Sequence, residues 1–150
     1  MNLEQQVVSL EYAKRLKELG VEQKSLFYWT KAFYPDGVHL DWGVQSKEQN
    51  DLEVYEYSAQ KIEDVENCSA FTVAELGEMF DRELKIHSGK TVNGLELYYC
   101  SFMESSSEEC WNKTHCFDGD TEANVRAKML VYLIENDLYD PKTQKTQTTV

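Results

Sequence analysis

Leu10, Ala13, Leu16 and Leu19 recur at helical spacing, with Lys14, Lys17 and Glu18 between them and Ser9 where an N-cap belongs. Gly20 can adopt the left-handed conformation that ends a helix, and Val21 supplies the apolar contact of a Schellman ending. The run from Leu26 to Tyr34 is too aromatic for an exposed helix and predicts a strand buried on both faces. Pro35-Asp36-Gly37 then turns the chain, and Val38 to Trp42 returns as the second strand of a hairpin. Gly43 to Asp51 is polar and reads as a loop, whereas Leu52 to Tyr57 alternates with period two and predicts a third strand.

A second helix has the clearest local signature. Thr72 and Glu75 form a capping box, and Phe71 and Leu76 stand at the two positions of a hydrophobic staple. Val73, Leu76, Phe80 and Leu84 make its apolar stripe, and Gly77 on the same helix implies close packing against a neighbour. His87-Ser88-Gly89 ends that region. Asn93-Gly94 is a turn signal before a core strand from Leu95 to Met103; the polar stretch Glu104 to Glu109 links it to a partner strand over Cys110 to Phe117. The last helix opens at Asp120 or Thr121, runs through Ala123, Ala127, Leu130, Leu133 and Ile134, and carries a Glu122–Arg126 pair one turn apart. These elements predict an α+β fold, an antiparallel sheet of about five strands with three helices packed mainly on one face. One domain is expected over residues 1–140, with a loose polar tail over 141–150.

The chain of 150 residues carries a net charge of −12, and the charge is concentrated. Residues 36–120 hold nineteen acidic and six basic groups, while the flanking segments are close to neutral. Such a field repels phosphate backbones, which argues against direct nucleic-acid binding, and it attracts a basic protein partner. The plainer reading is a solvated acidic surface that keeps the protein soluble. No apolar run reaches the roughly 18 residues of a membrane span. Met1 leads into Asn2-Leu3-Glu4-Gln5-Gln6 without a basic n-region, so the expected location is the cytoplasm.

Candidate chemistry is sparse. Cys68, Cys100, Cys110 and Cys116 read as reduced thiols in that compartment. Cys100, Cys110, His115 and Cys116 fall close enough to raise zinc, but they contain no C-x-x-C pair, and the adjacent His115 and Cys116 would point to opposite faces of a strand. Asp118-Gly119-Asp120 lacks the later glutamate of a calcium loop, since its twelfth position is Met129. His39, His87 and His115 lie in separate elements, with no phosphate-binding glycine loop, nucleophile elbow or H-E-x-x-H anywhere. No cofactor and no metal are therefore expected. The segment Thr72 to Gly77 has the look of the first helix of a helix-turn-helix, but a second amphipathic helix does not follow.

Aromatic and acidic residues interleave in the middle of the chain. Asp36, Asp41, Trp42, Glu53, Tyr55, Glu56 and Tyr57 are the candidate binding surface: rings as anchors, ringed by carboxylates, if one sheet face is exposed. The burial habit of aromatic rings favours a place in the core for the same side chains. An exposed aromatic sheet edge would also make a homodimer plausible.

Three blocks, Ser9 to Trp29, Ser69 to Phe80 and Glu122 to Asp137, resemble small uncharacterised proteins of bacteria, phages and prophages. The blocks are helix and strand cores and transfer no catalytic residue. The family carries no assigned function; with a phage-like origin, the acidic excess of residues 36–120 favours a small binding protein that modulates a host or phage protein, in the extreme a DNA mimic. The alternatives are a small enzyme, built where His115 or Cys116 meets a carboxylate in a pocket, and a nucleic-acid-associated regulator.

Overall fold

The computed structural model describes residues 2–34, 37, 39–59, 64–80, 86–90, 97–104 and 113–142. Its elements run α1 (Leu10–Glu18), β1 (Phe27–Phe33), β2 (His39–Ser46), α2 (Lys47–Ser58), β3 (Asp64–Ser69), α3 (Val73–Met79), β4 (Ile86–Lys90), β5 (Tyr98–Glu104), β6 (Lys113–Gly119) and α4 (Glu122–Glu135). The α+β class holds. Among the described residues the strands form two three-stranded antiparallel sheets, β2-β1-β3 and β4-β5-β6, in place of one sheet of about five strands, and four α-helices are found where three were expected.

Local signals set most boundaries. At the end of α1 the Val21 amide bonds to the Leu16 carbonyl and the Gly20 amide to that of Lys17, with Gly20 at φ 84°, which is the expected Schellman pair. The Thr72 hydroxyl accepts from the Glu75 amide and the Glu75 carboxylate accepts from the Thr72 amide, completing the capping box; Phe71 and Leu76 are both fully buried beside it. Thr121 caps α4 by accepting from the Asn124 amide. The hairpins β1–β2 and β5–β6 form as expected. The expected turn at Pro35-Asp36, the Asn93-Gly94 signal, Leu84, the Glu104–Glu109 link beyond Glu104 and the tail after Lys142 lie outside the described residues.

α4 is the centre of the molecule because it is apolar on two sides. Ala123, Ala127 and Leu130 belong to one buried cluster, with Leu16 of α1, Leu76 of α3, and Trp29 and Cys68 of the first sheet. Val125, Met129 and Leu133 form another with Cys100 of β5, against which Tyr98 and Phe117 pack. Helical periodicity puts these two triplets on two different sides of α4, so one helix packs into the clusters of both sheets. Gly77 of α3 leaves room for this arrangement: a Cβ there would sit 2.7 Å from Nη1 of Arg126, whose guanidinium bonds Glu122.

α4 ends in a second Schellman pair. The Leu138 amide bonds to the Leu133 carbonyl and that of Asp137 to Ile134, with Asp137 in the left-handed region at φ 58°. A Cβ in that conformation is strained, although aspartate tolerates it better than most residues. Asp137→Gly is therefore expected to raise stability by about 0.5–1 kcal/mol, read as a higher denaturation midpoint. An unchanged or lower midpoint would place the strain elsewhere.

The expectation of helices mainly on one face of the sheet is corrected by α2. Trp29 turns toward the cluster shared with α1 and α4, and its indole N–H donates to the buried Val8 carbonyl at 2.8 Å. Its neighbour Thr30 points the other way, as alternation in a strand requires, and bonds Asn50 of α2 at 3.0 Å. α2 thus covers the opposite face of the β2-β1-β3 sheet.

Candidate functional site

The segment expected to be a loop and then a strand, Gly43 to Tyr57, divides differently. Gly43 to Ser46 completes β2, and Lys47 to Ser58 is helical. Ser46 caps that helix through the Gln49 amide, and Lys47 pairs with Asp51 one turn on. Period-two alternation in Leu-Glu-Val-Tyr-Glu-Tyr is outweighed by this cap and by a run of glutamate, glutamine, leucine and lysine, all good helix formers.

α2 is polar where it touches the protein. Asn50 is buried against Thr30, and Glu53, only 2% exposed, accepts a hydrogen bond from Nε2 of Gln45 on β2 at 3.0 Å. Oε2 of Glu53, Oε1 of Gln45 and the hydroxyl of Ser69 are buried without a hydrogen-bond partner. Tyr28 pairs across β1 with both Gln45 and Ser69, so these groups belong to the same sheet face. The outward side of the helix carries two large apolar groups, Leu52 at 48% and Tyr55 at 66% exposed, beside the exposed carboxylates of Glu48 and Asp51. Among the described residues, neither buried apolar cluster contains a side chain from α2. An ordinary surface helix buries its large apolar side chains and leaves its carboxylates in water.

The structure disperses the candidate surface residues. Tyr55 and Tyr57 are exposed on α2 and Asp41 is exposed on β2, while Glu53 of the same helix turns inward. Trp42 is half-buried against the α1 side of the sheet, its ring beneath Nζ of Lys14 at 4.5 Å. The side chain of Glu56 and the whole of Asp36 lie outside the described residues. Leu52 and Glu48 join the exposed side of α2, and sequence reading missed Leu52 because strand alternation gave it no special place. Helical spacing of Glu48, Leu52 and Tyr55 was the available signal.

Two sheet edges are occupied by side chains. Lys17 donates to the Asn67 carbonyl and Gln23 accepts from the Ser69 amide on β3, and Lys128 donates to the Asp118 carbonyl on β6. Such bonds blunt a strand edge against pairing with another chain.

The chemical candidates are placed as follows. Cys100 is buried toward α4, and its cross-strand partner is Phe117; Cys116 is exposed and pairs across the strand with Ser101, on the other face of the sheet. His115 turns to Tyr132, with Nε2 3.0 Å from the hydroxyl and ring centroids 4.7 Å apart. Among the described residues, no three His, Cys, Asp or Glu side chains are grouped to hold a metal; Cys110 lies outside them. A cleft of about 530 Å³ between α1 and β3 is lined by Lys14, Lys17, Glu66 and Cys68, away from both His115 and Cys116. No helix among the described residues is long and apolar enough to cross a membrane.

Burial pushes the Cys100 thiol up to about 11 from an ordinary value of 9.0, with Arg126 opposing the shift. The folded state therefore holds its proton longer than the unfolded chain. Stability from this group is intact below pH 9.0 and falls as the pH rises toward about 11, by roughly 2–3 kcal/mol in all. Cys100→Ala is expected to flatten that part of the alkaline denaturation profile relative to the parent protein. Parallel profiles would contradict it.

No protein-family model, no curated protein and no solved structure matches this chain.

Proposed function

We propose that this protein is a cytoplasmic protein-binding module whose acidic central region receives a basic protein partner. The observation that carries the reading is the polarity of α2, which buries Asn50 and Glu53 and leaves Leu52 and Tyr55 in water. Burying a carboxylate with one oxygen unpartnered costs free energy, and so does exposing large apolar groups on the opposite side. Both costs fit an outer face kept for a second molecule. α2 bears four carboxylates and one lysine, within a segment where acidic groups outnumber basic ones by about three to one, so the field around the face favours Lys- and Arg-rich surfaces. The resemblance to phage and prophage proteins is consistent with a host or phage protein as the partner.

Affinity capture from bacterial lysate at low and moderate salt, with the parent protein and Glu48→Lys side by side, tests the proposal. A stoichiometric basic partner, released by salt and weakened by Glu48→Lys, is the expected result, because screening and charge reversal both remove long-range attraction. Capture indifferent to both changes would refute the electrostatic basis of the proposal.

A further inference from the structure

We infer that the outward side of α2 docks one amphipathic helix of the partner, with an apolar stripe bordered by lysine and arginine. The inference rests on the protein-binding reading and specifies the shape of what binds. Glu48, Leu52, Tyr55 and Ala59 stand at i, i+4, i+7 and i+11, and all four are exposed. This spacing aligns them along the helix axis as one strip, acidic at its N-terminal end and apolar along the rest. A rod of this kind matches a second helix laid beside it, whose own i, i+3, i+4 and i+7 residues would meet Leu52 and Tyr55.

Charge selects among helices. Lys47 is paired with Asp51, which leaves Glu48 as the exposed carboxylate at the head of the strip. A partner helix carrying lysine or arginine beside its apolar residues complements that end and the acidic middle of the chain. A second copy of this protein would bring one acidic strip against another. An extended partner strand is the weaker fit at β3 and β6, where edge backbone groups are already bonded by Lys17, Gln23 and Lys128. Two anchors of moderate size imply a transient complex.

The test uses the full chain and three labelled synthetic peptides of equal length and composition, followed by fluorescence anisotropy. The first arranges leucine and lysine as an amphipathic helix, the second alternates them as a strand, and the third scrambles them. The helical peptide is expected to bind best, and Leu52→Ser with Tyr55→Ser is expected to weaken it by about tenfold or more. Equal binding of all three peptides would overturn the helical occupant while leaving an acidic binding module in place. Binding of the helical peptide unaffected by the double substitution would overturn the assignment to α2. Binding of none would overturn both readings. Self-association in sedimentation that disappears in the double variant would make the occupant a second copy, and that too would overturn the inference.

Discussion

Glu75→Ala is expected to lower the stability of this protein by about 2–4 kcal/mol, the largest loss anticipated for a single side chain that is not apolar. Its carboxylate has two tasks. Within α3 it accepts from the Thr72 amide at 2.8 Å and closes the capping box. Across the structure it also accepts from the hydroxyl of Ser25 at 3.0 Å and from the amide of Leu26 at 2.9 Å, fixing the chain that enters β1. Three donors lose a charged acceptor together in the alanine variant. Leu26 is exposed, so water recovers part of the loss at that amide. Glu75→Gln keeps the shape but has one acceptor oxygen for donors now shared between two, and should cost roughly half as much. Denaturant unfolding checks both values; a change below about 0.5 kcal/mol for Glu75→Ala would mean that the contacts to Ser25 and Leu26 carry no net energy.

Gln45→Met combined with Glu53→Met is expected to act in the opposite direction, stabilising the protein by about 1–4 kcal/mol. The pair has one hydrogen bond between its members and one unpartnered oxygen on each, all enclosed between α2 and the sheet. Methionine is near both residues in volume and has no strong polar group to desolvate, and its flexible side chain adapts to the space. Thr30 and Asn50 keep their bond and hold the register of the helix. The single change Glu53→Ala should instead destabilise, because it leaves Gln45 buried without its acceptor and opens a gap. A double variant less stable than its parent would show that the amide–carboxylate contact is itself a source of stability.

Legibility from sequence followed the range of the interaction responsible. The capping box at Thr72, the glycine ending at Gly20 and the Thr121 cap involve residues within a turn of one another, so the side chains that form them are visible as spacing. The β1–β2 hairpin was similarly marked by an aromatic run, Leu26 to Tyr34, followed by a turn and the returning segment Val38 to Trp42. β3 was not marked: Asp-Val-Glu-Asn-Cys-Ser lacks alternation and is mostly poor in strand formers, and it is a strand because β1 offers it a pairing edge. The second role of Glu75 joins it to residues about fifty positions away, which no local pattern encodes.

α2 was misread for a more specific reason. Amphipathic patterns reveal a helix when an apolar side faces the core, and here the apolar residues are spread around the helix, with Leu52 and Tyr55 in water while Asn50 and Glu53 face the sheet. Leu52 to Tyr57 also fits a strand loosely, with Leu52, Val54 and Glu56 on one side and Glu53, Tyr55 and Tyr57 on the other, so each side would mix one glutamate with two apolar or aromatic groups. Of the seven candidate surface residues, Tyr55, Tyr57 and Asp41 are exposed because helix and edge-strand geometry put them there, not because they form one sheet face. The acidic excess, by contrast, was legible directly from composition. Where the structure shifts the picture is in concentrating attention on one helix face within the acidic segment.

That face is tested most directly by measuring the thermal midpoint and partner capture of the Leu52→Ser, Tyr55→Ser protein together. Side chains kept for a partner contribute little to the isolated fold, so the expected result is a midpoint within a degree or two of the parent, on the scale of a sub-kilocalorie change, with capture lost. A midpoint lowered by about 8 °C or more would show that Leu52 and Tyr55 are packed in the folded protein, and would contradict the reading of α2 as a helix with its apolar side turned to a partner.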